Sequence, residues 1–224
     1  MSHIVGTHSP NWRLSFMSGF RSFNSKKVYS LILIFTFALT VVNNCKPSPK
    51  EKVQKVLAEN NLQEVEKIRG VAWALFGDRL KEVEITPIPG SIPSKYEVYL
   101  GFGGTSALTF LESEQYAARM KLELALQSYR FLQSLEGISF GKFRMSLIKP
   151  FFIKNGEERG TEEFEIFRFR ADGDSLRKIP GFKETDSFAA DRYDAPSPQV
   201  ITVLFKIVEK WHIELDQFAR VEVN

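Results

Sequence analysis

The sequence predicts an α+β fold in which two helical regions pack on a mainly antiparallel sheet of roughly six strands. Apolar residues recur at helical spacing over residues 49–77 and 109–137. Shorter runs elsewhere alternate apolar and polar side chains with a period of two, as half-buried strands do. Glycine and proline clusters separate these runs. Helices and strands that are grouped, rather than regularly alternating, are typical of the α+β class.

Two helix-start signals open the first helical region. Ser48–Glu51 is a capping box with proline at the first helical position, and it predicts a helix over about 49–59. Asn60 and Asn61 interrupt that helix, and Asn61 with Glu64 is expected to cap a second one, which ends at Gly77. The apolar face of this second helix comprises Val65, Ile68, Ala72, Leu75 and Phe76.

Two strands and a long helix follow. The strands are predicted at Lys81–Ile88 and Lys95–Phe102, with a proline-rich connection between them. A second capping box at Thr109–Glu112 opens a helix that reaches Gly137. Its apolar stripe, expected to face the sheet, comprises Leu111, Ala118, Leu122, Ala125, Tyr129, Leu132 and Leu135.

After Gly137 the apolar period changes to two. The alternation predicts a strand that runs toward Ile153, a turn containing Asn155, Gly156 and Gly160, and a return strand from Glu163 to Ala171. A long polar connection, 172–198, comes next, and connections of this length are often functional or disordered. Its aromatic residues either pin it to the sheet or meet a partner, and they are Phe182, Phe188 and Tyr193.

The C-terminal segment fits two periods. Residues 199–223 can be read as one helix or as two strands joined near Glu209 and Lys210. β-Branched residues dominate the first half of the segment, and such residues favour strands. We therefore expect two strands here, which complete the six.

The net charge does not indicate a nucleic-acid partner. The chain has 30 basic and 27 acidic residues, for a net charge of +3. Residues 1–44 contain four of the basic residues and no acidic one, so the remainder is close to neutral. The basic character belongs to the N-terminal leader, and it is no argument for nucleic-acid binding by the folded part.

The N-terminal leader has the form of a secretory signal. Residues 28–42 carry no charge and follow Lys26 and Lys27. A membrane-spanning helix needs about 20 apolar residues, so this run is short for one. Met17 would open a leader of more ordinary length, in which case 1–16 are an extension or precede the true start.

The single cysteine of the chain follows the apolar run directly. Val42-Asn43-Asn44-Cys45 resembles the lipobox of bacterial lipoproteins, in the looser form known among spirochaetes. The resemblance implies cleavage before Cys45 and a lipid on its thiol, with fatty acyl chains such as palmitate that hold the protein to a membrane of the cell envelope. Two or three acyl chains anchor firmly, whereas one binds only marginally. An uncleaved signal anchor is the alternative.

The lipoprotein reading divides the chain into three parts. Residues 1–44 are the signal peptide, 45–50 are the lipidated cysteine with a short proline-containing tether, and 51–224 form a single α+β domain. No family is recognised for that domain from its sequence.

One tetrapeptide suggests an enzyme, but its context does not support one. Gly173-Asp174-Ser175-Leu176 resembles the signature of GDSL-type esterases, whose catalytic aspartate and histidine lie far downstream. Here His212 is the sole histidine after the leader, and Glu209 precedes it where the family has aspartate. We expect that Ser175 is not a nucleophile. Asp172 and Asp174 lack the further ligands of a calcium loop, and neither a metal nor a cofactor is expected.

Four basic residues make the candidate ligand site. They are expected on one face of neighbouring strands, and they are Lys142, Arg144, Arg168 and Arg170. Such a row could bind an anion or could be the solvated face of a half-buried sheet. The sequence therefore favours a lipid-anchored, non-catalytic binding or structural module whose partner is an unknown protein or small ligand. The alternative is an envelope hydrolase that uses carboxylates or Ser175.

Overall fold

The structure is a five-stranded sheet with its helices packed on one face. It is a computed structural model that describes residues 47–103, 113–155, 158–190 and 195–218. These residues belong to one compact unit. The elements in chain order are α1 (Pro49–Ala58), α2 (Glu64–Phe76), a 3₁₀ turn (Gly77–Arg79), β1 (Leu80–Pro87), β2 (Lys95–Gly103), α3 (Ser113–Ser134), β3 (Ser139–Asn155), β4 (Glu158–Asp172), α4 (Gly173–Leu176), α5 (Pro198–Glu209) and β5 (His212–Asp216).

The α+β class is confirmed, with five strands in the described part of the chain rather than six. The strands lie in sequence order across the sheet. Three neighbouring pairs are antiparallel, and β2 runs parallel to β3. A parallel pair requires a crossover connection, and α3 lies in the segment that connects β2 to β3. The leader and Cys45 lie outside the described residues.

The first helical region forms from local signals. Ser48 and Glu51 make the predicted capping box, with Ser48 N donating to Glu51 Oε2 at 2.7 Å. The predicted cap of α2 at Asn61 is wrong, because Gln63 N donates to Glu66 Oε2 at 2.9 Å one turn into the helix. Glu64, expected to complete the cap, accepts instead from the hydroxyl of Tyr96 on β2 at 2.7 Å. This contact ties α2 to the sheet.

The core lies between the sheet and α2, α3 and α5. Phe76 of α2 meets Phe102 edge-on with ring centroids 5.1 Å apart, and Phe131 of α3 stacks on Phe143 at 5.7 Å. Phe102 and Phe143, the two that belong to the sheet, therefore point to the same face of it. The opposite face carries the polar residues of β3 and β4 and is open to solvent.

Helix α3 buries a different stripe from the predicted one. Ala118 is exposed and Leu122 is half-buried, so the first half of the predicted stripe is wrong. The residues that face the core there are Tyr116, Met120 and Leu124. In the second half, Ala125, Tyr129, Leu132 and Leu135 are buried as predicted. The predicted capping box at 109–112 lies outside the described residues.

The prediction of two C-terminal strands is wrong for the first of them. Residues 198–209 form α5, with Pro198 at its start and Ser197 Oγ accepting from Val200 N at 3.4 Å. The helix buries Val200, Val203, Leu204 and Ile207. Packing of this face outweighs the modest strand preference of β-branched residues, which depends strongly on context. The second predicted strand is β5, which pairs antiparallel with β4.

The β3–β4 hairpin is longer than predicted. Its pairing continues to Asn155 opposite Glu158, and Gly160, predicted in the turn, pairs with Ile153. The hairpin therefore forms the longest pairing in the described sheet.

The long connection after β4 is held against α3. Phe182 is buried on the ring of Tyr129 with centroids 4.6 Å apart. Gln133 Nε2 donates to the carbonyls of Phe182 at 2.9 Å and Thr185 at 2.8 Å, and its Oε1 accepts from Ser187 N at 2.9 Å. The connection is thus pinned mainly to a helix and not to the sheet. Tyr193 lies outside the described residues.

Candidate functional site

The Gly173–Leu176 tetrapeptide has a structural role. It forms the single turn of α4, where Asp172 Oδ1 accepts from Ser175 N at 2.7 Å. Asp174 accepts from Ser139 Oγ at 2.6 Å and from Phe140 N at 3.0 Å. Both carboxylates considered for calcium are therefore used within the fold. The Ser175 side chain is exposed, and no side chain of the described residues hydrogen-bonds to its hydroxyl.

Asp174 remains ionised because of these contacts. Burial alone would raise its pKa, but the hydrogen bonds from Ser139 and Phe140 and the Lys95 ammonium at 3.1 Å outweigh burial. The pKa of Asp174 therefore lies below its ordinary value. A carboxylate held in this way fixes the start of β3.

Arg177, one residue after the tetrapeptide, closes the end of α3. Its guanidinium donates to the carbonyls of Leu132, Leu135 and Ile138 over distances of 2.5–3.2 Å. Leu132 lies in the last turn of α3, whose carbonyls have no partner within the helix, and the Arg177 side chain supplies one. Burial lowers the pKa of Arg177, and the nearby Asp174 carboxylate opposes that effect. These residues join α3, β3 and α4 and take no part in a visible catalytic arrangement.

The open face of the sheet carries a row of basic and polar side chains. Tyr99 lies opposite Arg144 in the register of β2 and β3, Arg144 lies opposite Arg170, and Arg170 lies opposite His212. The Arg144 guanidinium lies 5.4 Å from the centroid of the Tyr99 ring. Desolvation raises the pKa of Tyr99 to about 12, so its hydroxyl stays protonated. The row crosses four strands.

The four residues of the predicted patch have different surroundings. Arg168 lies between Glu165 and Glu214, at 3.4 and 3.6 Å. Arg170 also contacts Glu214, at 3.2 Å. Carboxylates therefore offset the charge of Arg168, whereas Lys142 and Arg144 form no ion pair with the described residues.

Lys142 and Arg170 line a cleft at the end of this row. The cleft has a volume of about 350 Å³ and is completed by Ala171, Asp172, Lys210 and His212. A second open cleft, of about 500 Å³, shares Lys210. Its other lining residues are Ser175, Lys178, Ile179, Pro180, Lys206 and Glu209. We call the two together the basic cleft.

Cations outnumber carboxylates in the basic cleft. Five lysine and arginine side chains line it, against Asp172 and Glu209. Asp172 is already engaged as the cap of α4. Lys142, Lys178 and Lys210 have no carboxylate oxygen within 4.0 Å among the described residues. Such a concentration of cations in a concave surface attracts anions.

Two of these cations stabilise the C-terminal end of α5. The last turn of a helix carries a partial negative charge, and Lys206 and Lys210 flank it. Lys206 also donates to the carbonyl of Pro180 at 3.2 Å. This role does not involve Lys142 or Lys178, which belong to other elements. Lys142 and Lys178 therefore remain in the basic cleft as cations without an ion-pair partner among the described residues.

The residues predicted as a ligand patch include Lys142 and Arg170 of the basic cleft, but not its other three lysines. Lys178, Lys206 and Lys210 are distant from β3 and β4 in the chain, so strand patterns could not place them there. One signal was present in the sequence. If 198–209 is read as a helix, Lys206 and Lys210 follow each other at a spacing of four and share one face.

Searches of known protein families, of characterised proteins and of solved structures find no match for this chain. Among the described residues, no group of three or more histidine, cysteine, aspartate or glutamate side chains could hold a metal ion. No helix in the described ranges is long and apolar enough to cross a membrane.

Proposed function

We propose that this protein is a lipid-anchored module of the cell envelope that binds a small anionic ligand in the basic cleft and does not transform it. The observation that carries the binding role is a group of three cations without carboxylate partners: Lys142 and Lys178 each line one of the two clefts, and Lys210 lines both. Arg144 extends this group along the sheet. The ligand class follows from the charge, and small multivalent anions fit the volume of the cleft.

The anchoring role rests on the sequence around Cys45. The Val42–Cys45 pattern supports lipidation, and α1 begins at Pro49, close behind the cysteine. A domain joined so closely to its anchor stays at the membrane surface. Because the rest of the chain is close to neutral, the lipid and not general charge attraction is the main source of attachment.

Anion binding is tested by calorimetric titration of the protein with pyrophosphate. We expect the double variant Lys142→Ala/Lys210→Ala to weaken binding by about tenfold or more, since each step of 1.4 kcal/mol corresponds to tenfold. Lys55→Ala, on the exposed face of α1, is the matched control and should leave binding unchanged. Equal affinities for the double variant and the control would exclude the basic cleft as the site.

Anchoring is tested by metabolic labelling with an alkyne fatty acid and mass spectrometry of the N-terminal peptide. The wild-type protein should carry the label and begin at Cys45, and Cys45→Ala should carry none. A wild-type protein that retains Met1 or Met17 without label would support the signal anchor instead.

The non-catalytic part of the proposal concerns Ser175. A serine-directed fluorophosphonate should leave the protein unlabelled, because no base contacts the hydroxyl of Ser175 among the described residues. Stoichiometric labelling of Ser175 would favour a hydrolase.

A further inference from the structure

An apolar surface is exposed where α3 and α5 meet. A groove of about 380 Å³ lies between the two helices, and Leu122, Leu126 and Ile201 contribute apolar side chains to it. Ile201 is 38% exposed, and Phe205, one turn further along α5, is 56% exposed. We call these four residues the α3–α5 surface. Solvent-facing apolar clusters of this kind mark contact sites.

Helix α5 carries apolar residues beyond its buried face. Val200, Val203, Leu204 and Ile207 are buried in the core, and Ile201 and Phe205 point away from it. A surface helix normally carries polar residues outside its buried stripe, so exposed apolar residues there suggest a further contact. In the described part of the chain, the core covers only one side of α5. The second side therefore fits a helix that is covered by something outside the domain.

Two contacts with residues 186–189 connect the start of α1 with the start of α5. Lys50 Nζ contacts Asp186 Oδ2 at 2.6 Å. Three residues further on, the carbonyl of Ala189 accepts from Ser197 N, the cap residue of α5, at 3.1 Å. Ile201 is one helical turn beyond that cap. Two contacts and two short stretches of chain thus link the first turn of α1 to Ile201 of the α3–α5 surface.

The distance from Cys45 to α1 is limited by the chain. The helix start at Pro49 is four positions after Cys45, and an extended chain spans at most about 3.6 Å per residue. If Cys45 carries a lipid, the start of α1 lies within about 15 Å of the bilayer surface. The end of the domain that holds the start of α1 is then the end nearest the bilayer.

We propose that the α3–α5 surface rests on the bilayer that holds the lipid of Cys45. The inference depends on the proposed lipid anchor and adds an orientation to it. Leucine, isoleucine and phenylalanine side chains suit the boundary between headgroups and acyl chains. Arg119 lines the groove and forms no ion pair with the described residues, so it can meet a lipid phosphate.

The lipid anchor explains how so small an apolar surface can remain in contact with the bilayer. Two exposed side chains on α5 would bind a membrane weakly on their own. The anchor keeps them close to the bilayer at high effective concentration, so that a weak contact is occupied most of the time. In this arrangement the lipid supplies attachment, and the α3–α5 surface sets which way the domain faces.

The test uses the lipidated full-length protein in vesicles of phosphatidylcholine and phosphatidylglycerol. Phe205→Cys introduces the one free thiol, because the lipid blocks Cys45, and an environment-sensitive fluorophore is attached there. Ile201→Cys repeats the measurement one turn away. Glu84→Cys, exposed on β1 at the open face of the sheet, is the matched control. Lipids with a spin label near the headgroup then quench any fluorophore that touches the bilayer.

Strong quenching at positions 201 and 205, with little at position 84, supports the proposal. Equal quenching at the three positions in protein that floats with the vesicles overturns it and leaves the anchor intact. Energy transfer between fluorophores of two copies, without lipid quenching, assigns the surface to self-association and also overturns it. Failure of the wild-type protein to float removes the anchor itself, and the orientation proposal with it.

Discussion

Replacing Arg177 with alanine tests the role assigned to the segment that follows β4. The side chain is 10% exposed and makes four hydrogen bonds to the three carbonyls at the end of α3. A hydrogen bond from a charged donor contributes about 1.5–3 kcal/mol, and bonds that share a donor group are not additive. In the alanine variant, water can enter the vacated space and donate hydrogen bonds to some of these carbonyls. We therefore expect Arg177→Ala to lower the free energy of unfolding by about 3 kcal/mol.

The assay is urea unfolding followed by tryptophan fluorescence, with two comparison variants. Arg177→Lys keeps the charge but loses the planar fork that reaches several carbonyls, so its loss should be intermediate. Lys178→Ala, the exposed neighbour, should stay within about ±0.5 kcal/mol. If Arg177→Ala unfolds at the same urea concentration as Lys178→Ala, the hydrogen bonds of Arg177 do not stabilise the fold and this reasoning is refuted.

Three further predictions concern the core and the pH dependence. Leu124→Ala should cost about 2–5 kcal/mol because the side chain is fully buried, and Leu122→Ala should cost clearly less, as thermal unfolding would show. Tyr129→Phe should cost about 1 kcal/mol in urea unfolding, because Gln133 still donates to the carbonyls that the hydroxyl leaves. The pKa of Asp174 is lower in the folded protein than its value of 3.8 in the unfolded chain, so ionised Asp174 stabilises the fold above pH 3.8. This stabilisation is lost as the pH falls through the pKa of the folded state. Asp174→Asn should therefore narrow the difference in stability between neutral and acidic solution, and an unchanged difference would contradict the role given to Asp174.

The sequence predicted most accurately those helices and strands that are determined by contacts between residues close together in the chain. The capping box at Ser48–Glu51 and the strands β1 and β2 are examples, because their caps, turns and alternation lie within a few residues. For α5 the sequence favoured a strand over the helix because its β-branched residues suit both periods, and burial against α3 selects the helix. The cap signal of Ser197 followed by Pro198 was present and would have favoured the helix.

The candidate site depended more on long-range structure than the fold did. Strand alternation placed Lys142 and Arg170 on one face, and both line the basic cleft. No local pattern could show that Glu214 of β5 would offset the charge of Arg168, or that Lys178 would lie near the end of α5. These relations arise from tertiary packing, which a single sequence does not encode in its spacing.

The parallel pairing of β2 with β3 has a consequence for folding. The β1–β2 and β3–β4 pairs join strands that are neighbours in the chain, and local pairs of this kind form early. The β2–β3 pair needs α3 to be made first and β3 after it. In that interval one edge of β2 is open beside Val98, Leu100 and Phe102, which the finished domain buries. Open apolar edges recruit other chains, so a partly folded chain is prone to aggregate until β3 has paired with β2.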